Sequence, residues 1–350
     1  MRSGGTMRAV VLPEFGGAER LRLENVEAPR PEDLKEREVL IRVRAVGVCY
    51  HDLINRGGHL PRTRLPSILG HEIAGVVEAV GSQVRWFRAG DPVATIQRVP
   101  CGRCDLCRRA RGSLCKEGVF FGEEIPGGYA EYVVAEEQGL SRVPEGIPIE
   151  EAAICACTIG TALHVARTRG QVTAGETVVI TGASGGVGLH AIQVCRLLGA
   201  RVIAVTSSPS KAEHLREAGA DEVVAAPDLQ FAREVRRRTG GRGADVALEI
   251  TGALTFDQAL RSLGAAGRLI LVGNLETRPV PVNPGLLILK ELEIRGSFAT
   301  SVPELQEAFH LVLEKKVRPV VSRVMPLAEA SEAHRLLHDR SVVGRIVLSV

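Results

Sequence analysis

The chain of 350 residues lacks any surplus of charge: 44 basic side chains stand against 41 acidic ones, a net of +3. A balance this close to neutral excludes the basic stripe of a nucleic-acid binder and the basic face of a membrane-surface helix. Nothing in it approaches the ~20 continuous apolar residues of a membrane span. The opening MRSGGTMRAVV has no apolar stretch ahead of a small-residue cleavage site, as a secretory leader requires, and Met7 reads as an alternative start. Internal repeats and low-complexity tracts are also missing. These absences predict a soluble cytoplasmic protein with no nucleic-acid or membrane partner, and the length predicts two domains.

A cytoplasmic setting keeps thiols reduced, which changes how eight cysteines are read. Four of them, Cys101, Cys104, Cys107 and Cys115, lie in PCGRCDLCRRARGSLCK. Each two-residue gap is about the reach of a tight turn, so four thiolates can converge on one tetrahedral Zn(II). A redox cluster or disulfides are the alternatives. Arg103, Arg108, Arg109 and Arg111 can offset the charge of a tetrathiolate site. Four protein ligands close the metal, so this lobe is expected to be structural and the chemistry to lie elsewhere.

From residue 7 to 135, short apolar runs broken by Gly and Pro (MRAVVL, VLIRVRAVGV, EIAGVVEAVG, DPVATI, YAEYVVA) read as strands of a compact β unit. Two of its loops hold ligand types, Cys49 in GVCYHDL and His71 with Glu72 in LGHEIAG; alone, either could be core. After residue 150 the pattern changes. TVVITGASGGVGLHAIQVCRLLGARVIAVTSS is strand, glycine turn, helix and strand, placing Gly182, Gly185, Gly186 and Gly188 where a pyrophosphate meets a helix N-terminus. DEVVAA, ADVALEIT, GRLILVG and ELEIRGSF continue the alternation into a doubly wound parallel sheet. An NAD site usually carries an acidic residue at the end of the second strand, yet Arg201 through Ser210 contains none. Thr206, Ser207 and Ser208 offer hydroxyls and Lys211 a cation, which favours NADP(H) over NAD(H); the alternative is that Ser208 only caps a helix.

The cysteine quartet, GVCYHDL, LGHE and TGASGGVG together resemble the zinc-dependent alcohol dehydrogenases of the medium-chain dehydrogenase/reductase superfamily, over nearly the whole chain. That resemblance implies an α/β protein: a GroES-like β-rich catalytic domain over residues 1–157, with its zinc lobe at about 98–117. A Rossmann domain then follows over 158–298, and a segment over 299–350 completes the catalytic domain. It implies a second, catalytic zinc held by Cys49, His71 and a third cysteine, with Glu72 beside it. ICACTIGTALH offers Cys155 and Cys157, and the family's Thr four residues after the ligand, here Thr161, selects Cys157. The cofactor residues expected are Thr161, Gly182, Ser184, Gly185, Gly186, Val187, Gly188, Thr206, Ser207, Ser208, Lys211, Thr251, Gly273 and Arg345. A homodimer or homotetramer acting on a small-molecule substrate is implied as well.

One position departs from the family. Where many members carry a Ser or Thr that starts a proton relay, this chain has His51, an imidazole able to exchange a proton near neutral pH. Tyr50 is the other candidate, and Asp52 could orient either. Gln97 falls where relatives line the substrate pocket. SVPELQEAFHLVLEKK opens with a capping box at Ser301 and Glu304 and stripes Leu305, Ala308, Phe309, Val312 and Leu313 as core. Cys195 is expected in the core, His334 and His338 on a solvated face. Three functions follow: zinc- and NADP(H)-dependent alcohol, ketone or aldehyde oxidoreduction; reduction of an activated C=C bond, as in archaeal acryloyl-CoA reductases, with Arg56, Arg62 and Arg64 as a basic entrance for the thioester; and a crystallin-like role without turnover, which has no need of an open metal position.

Overall fold

A computed structural model describes residues 5–350. The chain divides into two compact units, one of Met1–Gly160, Ala299–Glu314 and Val321–Val350, the other of Thr161–Phe298 with Lys315–Val320.

The first unit is built on a seven-stranded sheet ordered Leu140–Arg142, Pro92–Thr95, Glu72–Val80, Glu38–Val48, Arg345–Ser349 and Val321–Pro326, with Tyr132–Glu136 also pairing with Glu38–Val48. Valines and isoleucines at Val39, Ile41, Val46, Ile73, Val93 and Ile346 make most of its core, with Leu348. Such alternating β-branched residues suit a pleated, half-buried surface. Antiparallel register sets Gly47 opposite Glu72 and Val48 opposite Ile346, so Cys49, Glu72 and Arg345 meet at one end of the sheet. A small hairpin, Arg98–Val99 with Val119–Phe120, brackets the cysteine lobe.

The second unit is a six-stranded, wholly parallel sheet ordered Glu222–Ala225, Arg201–Thr206, Thr177–Ile180, Ala244–Glu249, Leu263–Leu271 and Glu293–Gly296. In chain order this is 3-2-1-4-5-6, the Rossmann arrangement, with its switch point between the first and fourth strands. The strands expected in the sequence are all present. Helices Ala212–Glu217, Ala232–Arg238 and Phe256–Ser262 lie between successive strands.

Helix Val302–Leu313 has the expected capping box, Ser301 accepting from the Glu304 N–H and Glu304 accepting from the Ser301 N–H at 2.9 Å. Its buried stripe differs at the end: Leu311 is buried and Leu313 is 40% exposed. One helical run, Ile149–Arg169, is long and apolar enough by composition to cross a bilayer, but most of its apolar stretch lies buried inside the protein, as a core helix does. It carries two π-helical turns, the first at Ala156–Gly160, around Cys157. Such turns occur often at functional sites.

Candidate metal and dinucleotide sites

Cys49 leaves the end of strand Glu38–Val48 and caps helix Tyr50–Arg56, its N–H donating to Asp52 at 3.0 Å. His71 follows the left-handed Gly70 (φ +94°) and precedes strand Glu72–Val80. Cys157 comes from the π-helical turn. From positions 108 residues apart, the Cys49 and Cys157 sulfurs lie 4.0 Å from each other, and Cys157 Sγ is 3.6 Å from His71 Nε2. Donor atoms of Cys49, His71, Glu72 and Cys157 all lie within 4.8 Å of one another, and all four residues are buried. The structure thus separates the two cysteines of ICACTIGTALH: Cys155 turns away, its thiol donating to the Glu151 carbonyl at 3.2 Å.

The cluster's electrostatics come from burial and a few charges. Cys49 is held well below the ordinary thiol range, chiefly by the hydrogen bond with Cys157, then by Arg345 and His71, against its burial. Burial works against charge on His71, but Asp52 outweighs it and holds the imidazole well above its ordinary value. Asp52 Oδ1 lies 3.0 Å from His71 Nδ1 and leaves Nε2 toward the sulfurs. Asp52 therefore orients His71, and not His51 or Tyr50 as the sequence suggested. Burial raises the Glu72 carboxyl to about 7, with Arg345 opposing. A Cβ on Gly47 would stand 2.0 Å from the Glu72 carboxylate, so only glycine leaves room for that side chain.

Arg345, expected at the cofactor phosphates, is instead 3% exposed and bound into this cluster, 2.8 Å from Glu72 and 3.8 Å from Cys157 Sγ. The pairing of its strand with Glu38–Val48 draws it there, because a buried Glu72 needs a cation. His51 stands beside the cluster, its ring 5.1 Å from that of His71, stacked on Phe120 at 4.7 Å and 2.8 Å from Glu123 Oε1. Glu123 was not foreseen; the acidic pair in FFGEEIP was its only signal. Tyr50 is half-buried and Gln97 buried.

Two further expectations change. His334 is fully buried, with the Tyr129 hydroxyl 3.0 Å from Nε2 and Arg56 3.1 Å from Nδ1, because helix Ala330–His338 turns Ala330, Ala333 and His334 inward; His338 stays exposed. Arg56 is accordingly 7% exposed and not an entrance charge, while Arg62 pairs with Glu124 at 3.0 Å.

The second cysteine cluster is local. Cys101, Cys104, Cys107 and Cys115 also bring their sulfurs within 4.8 Å of one another, in a loop that contains the short helix Asp105–Arg108 and the turn Gly112–Leu114. The Cys107 N–H draws the Cys104 thiol down to about 7, whereas burial and the neighbouring thiols push Cys107 up to about 12. Arg103 and Arg109 pair with Glu117 and Asp105. All eight cysteines are free, which suits metal ligands and not disulfides.

In the parallel unit, helix Gly186–Leu197 begins at Gly185 with no side-chain cap, leaving first-turn N–H groups for an anion. A Cβ at Gly188 would meet the Gly182 carbonyl at 2.4 Å, so glycine there lets helix and turn close. Ser184, Gly185 and Val187 are partly accessible. Thr206 accepts from the Ser208 N–H at 3.1 Å, Ser207 and Lys211 flank it, and no acidic side chain ends that strand. Thr251 and Gly273 follow the neighbouring strand ends, and Thr161 sits one turn past Cys157 in its helix.

A parallel 3-2-1-4-5-6 sheet with a glycine turn, joined in one chain to a β unit carrying two thiol-rich clusters, defines a two-domain dehydrogenase. Residues 35–145 match the alcohol dehydrogenase GroES-like domain family and residues 186–314 the zinc-binding dehydrogenase family. The acryloyl-coenzyme A reductase of Sulfurisphaera tokodaii is 35% identical over 98% of this chain and 99% of its own. An alcohol dehydrogenase of Geobacillus stearothermophilus is 33% identical over 98% and 100%. The crystal structure of AibC is 56% identical, covers 99% of this chain and 96% of its own, and superposes with a TM-score of 0.91. The chain belongs to the medium-chain dehydrogenase/reductase superfamily, in its zinc-type alcohol dehydrogenase branch, and is an oxidoreductase.

Proposed function

We propose that the protein is a zinc-containing, NADPH-preferring reductase whose substrate is an α,β-unsaturated acyl thioester. The observation that carries the reading is the buried Cys49, His71, Glu72 and Cys157 cluster with the His51–Glu123 pair beside it. Zinc fits the donor set of two sulfurs, an imidazole oriented from behind by a carboxylate, and a buried carboxylate whose Oε1 pairs with Arg345 at 2.8 Å and whose Oε2 has no hydrogen-bond partner. Cys49, His71 and Cys157 would hold it, with Glu72, paired to Arg345, beside them. When bound, zinc supplies a Lewis acid for a carbonyl oxygen and the nicotinamide supplies hydride.

The chain's own residues do the rest. Asp52 holds the His71 tautomer, and Arg345 balances the negative charge of the cluster. His51, backed by Glu123, is the proton donor; reduction of a conjugated C=C needs a proton at carbon, and an imidazole held by Glu123 and Phe120 serves where a hydroxyl relay would serve an alcohol. Cys101, Cys104, Cys107 and Cys115 would close a structural zinc. The uncapped turn at Gly185–Gly188 holds the pyrophosphate, and hydroxyls at Thr206, Ser207 and Ser208 with Lys211 receive a 2′-phosphate that a carboxylate would repel. The 35% identity to an acryloyl-coenzyme A reductase over nearly the full length supports the thioester.

Alcohol or ketone oxidoreduction is the second reading, favoured by the Cys, His, Cys donor set and by the Geobacillus stearothermophilus relative. Oxidation of NADPH and NADH, followed separately with enoyl thioesters and with ketones, distinguishes them. Enoyl-thioester turnover with NADPH is expected, and turnover confined to ketones contradicts the thioester assignment.

A further inference from the structure

Strand Ala244–Glu249 lies next to Thr177–Ile180 at the point where the order of the parallel sheet reverses, the place where ligands of such folds bind. Its last residue, Glu249, is fully buried. Five donors converge on one of its oxygens, Oε1: the Thr181 hydroxyl at 2.8 Å, the Thr251 N–H and hydroxyl at 2.9 and 2.8 Å, the Gly252 N–H at 2.9 Å and the Thr255 hydroxyl at 2.7 Å. Oε2 is buried with no hydrogen-bond partner. The Thr181 hydroxyl in turn accepts from the Ile250 N–H at 3.0 Å. Thr181 follows the first strand and directly precedes Gly182, which has φ +56° and whose Cβ would lie 3.2 Å from the Thr251 methyl. The Leu275 N–H bonds the Thr251 carbonyl at 3.0 Å, tying in the end of the next strand.

A carboxylate fits this place because it only accepts. An amide oxygen there would accept more weakly than a carboxylate's and would bury its NH2 at the partnerless Oε2 position, and an apolar side chain would leave the Thr251 and Gly252 N–H groups without this acceptor in the interior. Nothing about core packing calls for a carboxylate there. What it holds together are the segments around three of the expected cofactor residues, Gly182, Thr251 and Gly273.

We propose that Glu249 is the positioning residue of the dinucleotide site: it fixes the Thr251–Gly252 turn and Thr181 against the glycine turn, so that the crevice is formed before the cofactor arrives. This rests on the dinucleotide reading above. Preorganisation of this kind appears as affinity.

The test is titration of NADPH and of NADH into the full-length, zinc-loaded protein, with dissociation constants read by nicotinamide fluorescence, alongside urea unfolding and steady-state kinetics. For Glu249→Gln the dissociation constant and the cofactor KM are expected to rise by 10- to 100-fold, with kcat at saturating cofactor changed less than about threefold. Thr255→Val should weaken binding three- to tenfold, and the double variant should weaken it less than the product of the two. Binding by Glu249→Gln within twofold of the parent overturns the proposal, as does a loss of kcat, affinity and unfolding midpoint together in all variants. If Glu249→Gln does not fold, Thr181→Val and Thr255→Val read the same network, and unchanged affinity in both overturns it. A parent chain that binds neither dinucleotide overturns the dinucleotide reading itself, an outcome distinct from the others.

Discussion

The two thiol clusters of this chain offer similar donor atoms in opposite settings. Cys101, Cys104, Cys107 and Cys115 lie within fifteen residues, in one loop around a short helix and a turn, and three of the four are partly exposed. Cys49, His71, Glu72 and Cys157 span more than a hundred residues, come from a strand end, two loops and a π-helical turn, and are buried throughout. The local cluster carries its geometry in its own loop and leaves its charge to surface arginines. The dispersed cluster has to be assembled by sheet register, and its negative charge must be balanced inside the protein by Arg345. That second setting amplifies electrostatics and shapes a site, while the first only ties a loop.

The largest expected contrast is between neighbouring cysteines. Cys157→Ser should lower kcat/KM by more than about 10³-fold, since groups one layer behind a metal already matter by 10- to 100-fold. Cys155→Ser should stay within about twofold, and equal losses in steady-state assays would break the distinction. Next come the cations. Arg345→Ala leaves Glu72 buried without its partner and should cost about 3 kcal/mol, whereas Arg103→Ala beside the exposed cluster should leave the unfolding midpoint nearly unchanged; urea unfolding of both variants measures this. His51→Gln should lower turnover about 10²-fold and Glu123→Gln about tenfold, with zinc content unchanged in both. If zinc falls too, His51 is a support of the cluster and not a proton donor.

The smallest effect concerns pH. Burial lowers the His334 imidazole to about 3. Its unfolded form takes up a proton as pH falls through the ordinary value near 6.5, while the folded form stays neutral down to about 3. Protonation therefore favours the unfolded chain within that window, and stability falls as pH falls. About 2 kcal/mol should be lost between pH 6.5 and 5, and His334→Gln should flatten that part of the profile.

Much of this was legible in the sequence. Spacing alone exposed the local cluster, because its geometry is set by short turns. The parallel sheet was legible from apolar runs alternating with glycine turns, and the elements fell where expected. Cys49, His71 and Cys157 emerged only through family resemblance, since nothing local relates residues 49 and 157. What stayed hidden depends on register and long-range contact: Arg345 reaching Glu72 across paired strands, Glu123 meeting His51 from 72 residues away, His334 turned inward to Tyr129. Glu249 left one trace, an acidic residue ending an apolar strand in ADVALEIT, whose five donors only the fold discloses.

The most direct measurement is zinc per chain and turnover in Cys49→Ala and Cys104→Ala, each compared with the parent. The parent is expected to hold two zincs. Cys49→Ala should hold one, keep its unfolding midpoint within a few degrees and lose turnover. Cys104→Ala should also hold one, unfold much earlier and retain turnover at temperatures where it stays folded. Full turnover by Cys49→Ala, or a folded Cys104→Ala that has lost its chemistry while Cys49→Ala keeps it, would contradict the assignment of structure to the dense cluster and chemistry to the scattered one.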